Sequence, residues 1–126
     1  MDFPQPMSMV FRFPAVAVSR DVLEAMLAMT LDSFEPLREG PLSYATINVP
    51  EEGDAWTSAV TLAQCLGPAI SALVERGEMG QSCVDIAMLF HEERMTASLF
   101  IPSPVALALG RWGFHIEVSV YLTGPD

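Results

Sequence analysis

The chain has 126 residues, of which 51% are hydrophobic, a length and composition that favour one packed domain spanning residues 1–126 and argue against disorder. Six basic residues against 16 acidic ones give a net charge of −10, and all six basic residues are arginines. This balance excludes a nucleic-acid binder, which needs a basic face for phosphates, and the absence of lysine excludes lysine-dependent catalysis.

The first third of the chain predicts a strand, a helix and a loop. Residues 7–18 alternate with a period of two, and Pro14, which cannot donate to a ladder, indicates either an edge strand or a break at that point. Ser19 is placed to cap a helix whose apolar residues follow at the 3.6-residue period and which ends near residues 31–32. Residues 32–41 are punctuated by proline and glycine and are predicted to be a loop.

The middle of the chain predicts a short strand and a long helix. Residues 43–49 alternate as a second strand, and a turn follows at residues 50–53. Asp54 can cap the next helix, which ends at residues 76–77. A Gly-Pro pair at positions 67–68 predicts a kink or a junction of two abutting helices.

The last third predicts a hairpin, a short helix and a final strand. Residues 83–90 and 95–101 are expected to pair across a polar turn, Ser103 is expected to cap a short helix, and residues 114–122 alternate cleanly. The predicted order is therefore β-α-β-α-β-β-α-β. We expect an α+β fold with a single mixed sheet of about five strands and with helices packed on one face.

The composition also predicts the compartment. The N-terminus lacks the basic and apolar regions of a secretory signal, and the longest apolar stretch, residues 7–18, is too short to span a bilayer. Cys65 and Cys83 lie outside any CxxC pair and are expected to be free buried thiols, with a single disulfide between them as the alternative. We expect a soluble cytoplasmic protein that contacts no membrane.

Polar side chains are expected to collect on the sheet face opposite the helices. The predicted ligand-binding residues there are Asp85, His115, Glu117, Tyr121 and Tyr44. Asp85 or Glu117 beside His115 would form an acid/base pair. Any sheet with one solvated face shows the same alternation, so the pattern predicts no particular reaction.

Motifs for other chemistry are not found in the sequence. The run of His91, Glu92 and Glu93 has no second histidine at metal-site spacing and is interpreted as a solvated turn. There is no G-x-S-x-G nucleophile motif and no phosphate-binding glycine loop ahead of a helix. We expect no metal and no cofactor, and the pattern favours a non-enzymatic protein.

The acidic residues are spread along the chain, with one small cluster just before the long helix. Two interpretations remain open, namely solubility of an apolar chain or a surface that meets a basic protein. For the second interpretation, the expected partner contacts are Glu51, Glu52, Asp54 and Trp112. Trp112, in the turn before the last strand, either covers the core or stays exposed as an anchor.

A hydrophobic strand, a small helix and a final strand follow one another in residues 97–101, 103–110 and 116–121. With the element order, this pattern resembles a bacterial domain-of-unknown-function family of small acidic α+β proteins, and residues 21–40 and Trp56 also fit. The resemblance implies the fold and brings no catalytic residues. Some such proteins are suspected immunity proteins of toxin systems, and the resemblance supports the fold more than the function.

We therefore expect a non-enzymatic binding protein, such as an immunity-type inhibitor of a basic protein partner. One alternative is a small-molecule-binding domain or enzyme that uses the polar sheet face. The other is a structural homo-oligomer, such as a homodimer, that pairs through an edge strand within residues 4–13.

Overall fold

Five strands and three helices follow one another in residues 3–124, the part of the chain that the computed structural model describes. They are β1 (Ser8–Val16), α1 (Arg20–Leu27), β2 (Ser33–Pro36), β3 (Ser43–Asn48), α2 (Ala55–Glu75), β4 (Cys83–His91), α3 (Ser103–Arg111) and β5 (His115–Thr123). The strands form one mixed sheet in the order β2-β3-β1-β4-β5, with β4 and β5 parallel and the other described pairs antiparallel. The predicted α+β class, with its single mixed sheet, five strands and three helices, is confirmed.

The hairpin lies at a different place in the chain from the predicted one. Residues 95–101 are not a strand, because β4 already pairs with β1 on one side and with β5 on the other and offers no edge for a returning strand. Leu99 and Ile101 instead pack against the core from an irregular segment. The hairpin is formed by β2 and β3, so part of the predicted loop at residues 32–41 is a short strand.

The N-terminal strand β1 lies in the centre of the sheet, between β3 and β4. The expectation that residues 4–13 provide an edge for a homo-oligomer is therefore wrong. Pro14 is accommodated because the pairing of β1 with β3 shifts register between Phe13 and Val16. Ala15 adopts a positive φ of 51° at this irregularity, so the proline marks a break in the ladder rather than an edge strand.

The helix caps follow from short polar side chains. Ser19 caps α1 by accepting a hydrogen bond from the backbone N–H of Val22, and Asp54 caps α2 by accepting one from Thr57. The predicted N-cap of α3 is displaced by one position, since Pro102 occupies it and Ser103 is the first helical residue.

Helix α2 runs without interruption through Pro68, so the expected junction of two helices is absent. Proline removes the hydrogen bond to the carbonyl four residues earlier, on Gln64. Both Gln64 and Pro68 lie on the exposed side of α2, where water can bind that carbonyl. The helix is long and apolar enough to cross a membrane by length and composition. Its apolar side packs into the core of the domain.

Alternate residues of the strands point towards the helices and form the core. Phe11 and Phe13 from β1, Ile47 from β3 and Val84 and Ile86 from β4 are almost completely buried. The largest fully buried side chain is Trp56 of α2, whose Nε1 donates to the carbonyl of Pro4 over 2.7 Å. The helices therefore cover one face of the sheet, as predicted.

Cys65 is exposed and Cys83 is half-buried, so the expectation of two buried thiols is wrong. Cys65 falls on the same solvent-facing side of α2 as Gln64 and Pro68. Both thiols are free, and the alternative of a disulfide between them does not occur in this structure.

Trp112 joins α3 to the middle of α2. A Cβ atom built on the buried Gly67 would lie 2.2 Å from Cγ of Trp112, so the indole rests directly on the helix backbone. The guanidinium of Arg111 lies 5.3 Å from the ring centroid of the indole. Trp112 is half-buried and packs against the core, which is the first of its two expected roles.

Candidate protein-binding surface

One face of the sheet carries no helix, and we call it the open face. Its residues alternate with the core residues of the same strands, and registration across the strands places them side by side. They are Ser33 and Glu35 of β2, Tyr44, Thr46 and Asn48 of β3, Ser8, Val10 and Arg12 of β1, Cys83, Asp85, Ala87, Leu89 and His91 of β4, and His115, Glu117, Ser119, Tyr121 and Thr123 of β5.

An ion pair between Arg12 and Asp85 lies in the middle of the open face. An Nη atom of Arg12 contacts one carboxylate oxygen of Asp85 at 2.5 Å, and Ser119 donates to the other oxygen at 2.7 Å. Asp85 is only 4% exposed, whereas the Arg12 side chain is 35% exposed. Because a buried carboxylate is costly without partners, these contacts give Asp85 a structural role.

Burial and charge around this pair shift the pKa values of two neighbours. Burial raises the pKa of the Tyr44 hydroxyl, and the positive charge of Arg12 only partly opposes that shift. Burial also raises the pKa of the Cys83 thiol, and the carboxylate of Glu117, 3.9 Å from Sγ, adds to the effect. A thiol with a raised pKa stays protonated at neutral pH and is a poor nucleophile.

The structure brings the five predicted ligand-binding residues onto this face without assembling them. Asp85 and Glu117 are register partners across β4 and β5, but His115 lies opposite Cys83 instead. Within residues 3–124, the His115 side chain makes no hydrogen bond or ion pair, so the expected acid/base contact is not formed. Tyr121 is half-exposed beside Leu89, and Tyr44 lies two strands away from Asp85.

Arg12 is the residue of this face that the sequence did not reveal. The alternation of β1 places it opposite the core, but its significance depends on β1 being next to β4. Nothing in the spacing of Arg12 and Asp85, 73 positions apart, indicates that adjacency.

A groove of about 680 Å³ opens where β1 begins and β3 ends. Three acidic residues, Asp32, Glu51 and Glu52, line it together with Ser8 and Asn48 of the open face, and none of its lining residues within the described part of the chain is basic. Two of the four expected partner contacts, Glu51 and Glu52, thus continue the open face at its end.

The other two expected partner contacts have structural roles. Asp54 is the N-cap of α2, and Trp112 packs on Gly67. Another groove adjoins the first one at Ser8 and Glu51, and a third lies at the other end of the open face, where Arg94 lines it together with Leu89. None of these grooves is lined by Asp85, His115 or Glu117.

We call the open face together with this groove the acidic surface. Its carboxylates are Asp32, Glu35, Glu51, Glu52, Asp85 and Glu117, and its one arginine is Arg12. Six negative charges against one positive charge leave an excess of five, half of the net charge of −10 of the whole chain. The single cation is already paired with the most buried carboxylate.

Within residues 3–124 no group of three or more histidine, cysteine, aspartate or glutamate side chains is arranged to hold a metal ion. Comparison of the chain with known protein families, curated proteins and solved structures found no match.

Proposed function

We propose that this protein is a non-enzymatic, cytoplasmic binding protein whose acidic surface recognises a basic protein partner, in the manner of an immunity-type inhibitor that covers a basic toxin. The observation that carries the proposal is the charge of the acidic surface, which joins the open face to the groove. Six carboxylates share it with one arginine, and that arginine is held by Asp85.

The distribution of this charge favours a large partner. The carboxylates extend from Glu117 on one outer strand to Glu35 on the other and continue into the groove at Glu51 and Glu52. Neighbouring strands lie about 4.8 Å apart, so each charge has another within about two screening lengths of about 8 Å at physiological salt, whereas the outermost pair, Glu117 and Glu35, lies about 19 Å apart. A continuous negative potential of this kind steers a basic partner and orients it on arrival.

Aromatic side chains supply contact area on the same surface. Tyr121 is 50% exposed, and Tyr44 is half-buried on the opposite half of the face. Tyrosine is enriched in protein interfaces because it offers a large apolar ring and a hydroxyl that hydrogen-bonds. The anchoring of Asp85 by Arg12 and Ser119 keeps the centre of the surface rigid for such contacts.

The test compares two variants with the same net charge. The first is Glu35→Gln/Glu51→Gln/Glu52→Gln, which neutralises the acidic surface. The control is Asp21→Asn/Glu75→Gln/Glu78→Gln, which removes three carboxylates from the helical side of the molecule or the turn after α2. Each tagged protein is incubated with lysate of the native host, and retained proteins are identified by mass spectrometry.

We expect wild type and the control to retain the same basic protein and the acidic-surface variant to lose it. Retention by wild type should also fall as salt is raised, because screening weakens attraction between exposed charges. Equal retention by both variants, an acidic partner, or retention that does not depend on salt would each refute the proposal.

A further inference from the structure

The two outer strands of the sheet differ in how their free edges are protected. β2 has four residues, ends in Pro36 and carries Glu35, and short length, proline and charge all discourage pairing with another strand. β5 has nine residues, contains no proline or glycine, carries one carboxylate, Glu117, and keeps its regular pairing with β4 along its whole length. The β5 edge is therefore a template for another strand.

The helix-facing side of β5 is also exposed. Ile116, Val118, Val120 and Leu122 are 40%, 43%, 55% and 71% exposed. Strands in parallel pairs are normally buried on both faces, so this exposure is unusual. The four side chains expose on the order of 400 Å² to water, an area similar to that of the largest apolar patch on a typical monomer.

We propose that β5 pairs in antiparallel fashion with β5 of a second copy of this chain, about a two-fold axis at Ser119, to form a continuous ten-stranded sheet. This inference goes beyond the proposed function and does not depend on it, since the contact is the outer edge of β5, of which only the open-face residues, such as Glu117, Ser119 and Tyr121, also belong to the acidic surface.

The hydrogen-bonding pattern of β5 selects this kind of register. The N–H of His115 bonds to the carbonyl of Ser82, and the carbonyl of Thr123 accepts from Glu92. Odd-numbered residues of β5 therefore direct their backbone groups towards β4, and even-numbered residues direct theirs to the free edge. Pairing centred on Ser119 places even residues opposite even residues, which an antiparallel ladder requires for its hydrogen-bonded pairs.

The side chains are compatible with the same register. Val118 faces Val120 of the second copy, and Ile116 faces Leu122, so apolar β-branched and leucine side chains meet on one side. On the other side, Glu117 faces Tyr121, and no carboxylate is placed opposite a carboxylate. All nine residues of β5 are used, which no other register about a two-fold axis achieves.

The area suits a second copy bound reversibly. The two apolar patches expose on the order of 800 Å², of which edge-to-edge pairing buries the part at the contact, and backbone edges and open-face side chains add to it, so the contact is at the small end of specific interfaces. The dimer therefore depends on protein concentration. Since each copy carries −10, added salt screens their repulsion and favours the dimer, opposite to the salt effect on a basic partner.

The first test is the substitution Val118→Pro. The N–H of Val118 points to the free edge, so proline removes a donor from the dimer contact and none from the ladder with β4. Sedimentation or light scattering should give wild type twice the 13.7 kDa chain mass at high concentration, Val118→Pro the monomer mass, and the control Val118→Ile the dimer mass. Circular dichroism checks that the variants are folded.

The second test is a cross-link at the two-fold axis, in a Cys65→Ser/Cys83→Ser background. Ser119 would face itself in a pair with Cα atoms about 4.5 Å apart, within disulfide range. Ser119→Cys should form a disulfide-linked dimer on mild oxidation. Tyr121→Cys should not, because Tyr121 of one copy lies four positions along the strand from Tyr121 of the other copy. Wild type that stays monomeric at about 1 mM, a dimeric Val118→Pro, or equal cross-linking at both positions would overturn the proposal.

Discussion

The contact between Gly67 and Trp112 predicts that Gly67→Ala destabilises the fold, whereas helix propensity alone predicts that it stabilises the fold. Gly67 lies inside α2, where alanine is normally favoured over glycine by about 1 kcal/mol. A Cβ atom at this position would lie 2.2 Å, 2.4 Å and 2.6 Å from Cγ, Cδ2 and Cδ1 of the indole. These atoms belong to the root and body of a rigid ring, so the ring itself must move.

We expect Gly67→Ala to destabilise the fold by about 2 kcal/mol. Overpacking a core costs up to about 3 kcal/mol, and the propensity gain of about 1 kcal/mol offsets part of that cost. For a chain of this length, the loss corresponds to a fall in Tm of roughly 8 °C. Urea denaturation followed by far-ultraviolet circular dichroism measures the change.

Two matched variants separate the clash from the effect of alanine on a helix. Gly110 of α3 has nothing within 4 Å of its ideal Cβ, so Gly110→Ala should stabilise the fold by up to about 1 kcal/mol. In a Trp112→Ala background, Gly67→Ala should likewise become stabilising because the ring is gone. A Gly67→Ala protein as stable as wild type would refute the reasoning, as would the same sign of effect in both backgrounds.

Three further predictions concern the centre of the open face. Arg12→Leu should lower the free energy of unfolding by about 2 kcal/mol, which is less than the cost of breaking a fully buried pair because the arginine is partly exposed. Adding Asp85→Asn should recover more than half of that loss, as measured by urea denaturation. At pH 8, Cys83 should react with iodoacetamide more slowly than the exposed Cys65, as followed by mass spectrometry of the single-serine variants, since burial raises the pKa of its thiol; equal rates would contradict this. The pKa of Tyr44 is raised in the folded state, so this hydroxyl loses its proton at a lower pH in the unfolded state than in the folded state. The free energy of unfolding should therefore fall as pH rises above about 10, and Tyr44→Phe should make that decrease smaller.

Alternation along single strands predicted which residues of β3, β4 and β5 share the open face. His115, Glu117 and Tyr121 lie on it as expected, because the side-chain period of a strand is a local property. The same is true of the caps, since Ser19 and Asp54 act on backbone N–H groups within three residues of themselves.

Strand order could not be predicted, and it decides what the open-face residues contact. Arg12 meets Asp85 only because β1 lies beside β4, and His115 is separated from the carboxylates only because its register partner is Cys83. The wrong prediction of a strand at residues 95–101 has the same cause, since the sequence does alternate there but both edges of β4 are already paired. Such information is held in contacts between distant segments and not in any local pattern.

The central position of β1 has a consequence for synthesis on the ribosome. β1 emerges first, and its partner β4 begins at residue 83, which is 67 residues after β1 ends at residue 16. At about 5–20 residues per second, that edge of β1 stays unpaired for roughly 3–13 s. During this interval β1, which carries Phe11 and Phe13, lacks its neighbour β4, so one side of an apolar strand stays uncovered, and folding is completed only when the last third of the chain has left the exit tunnel.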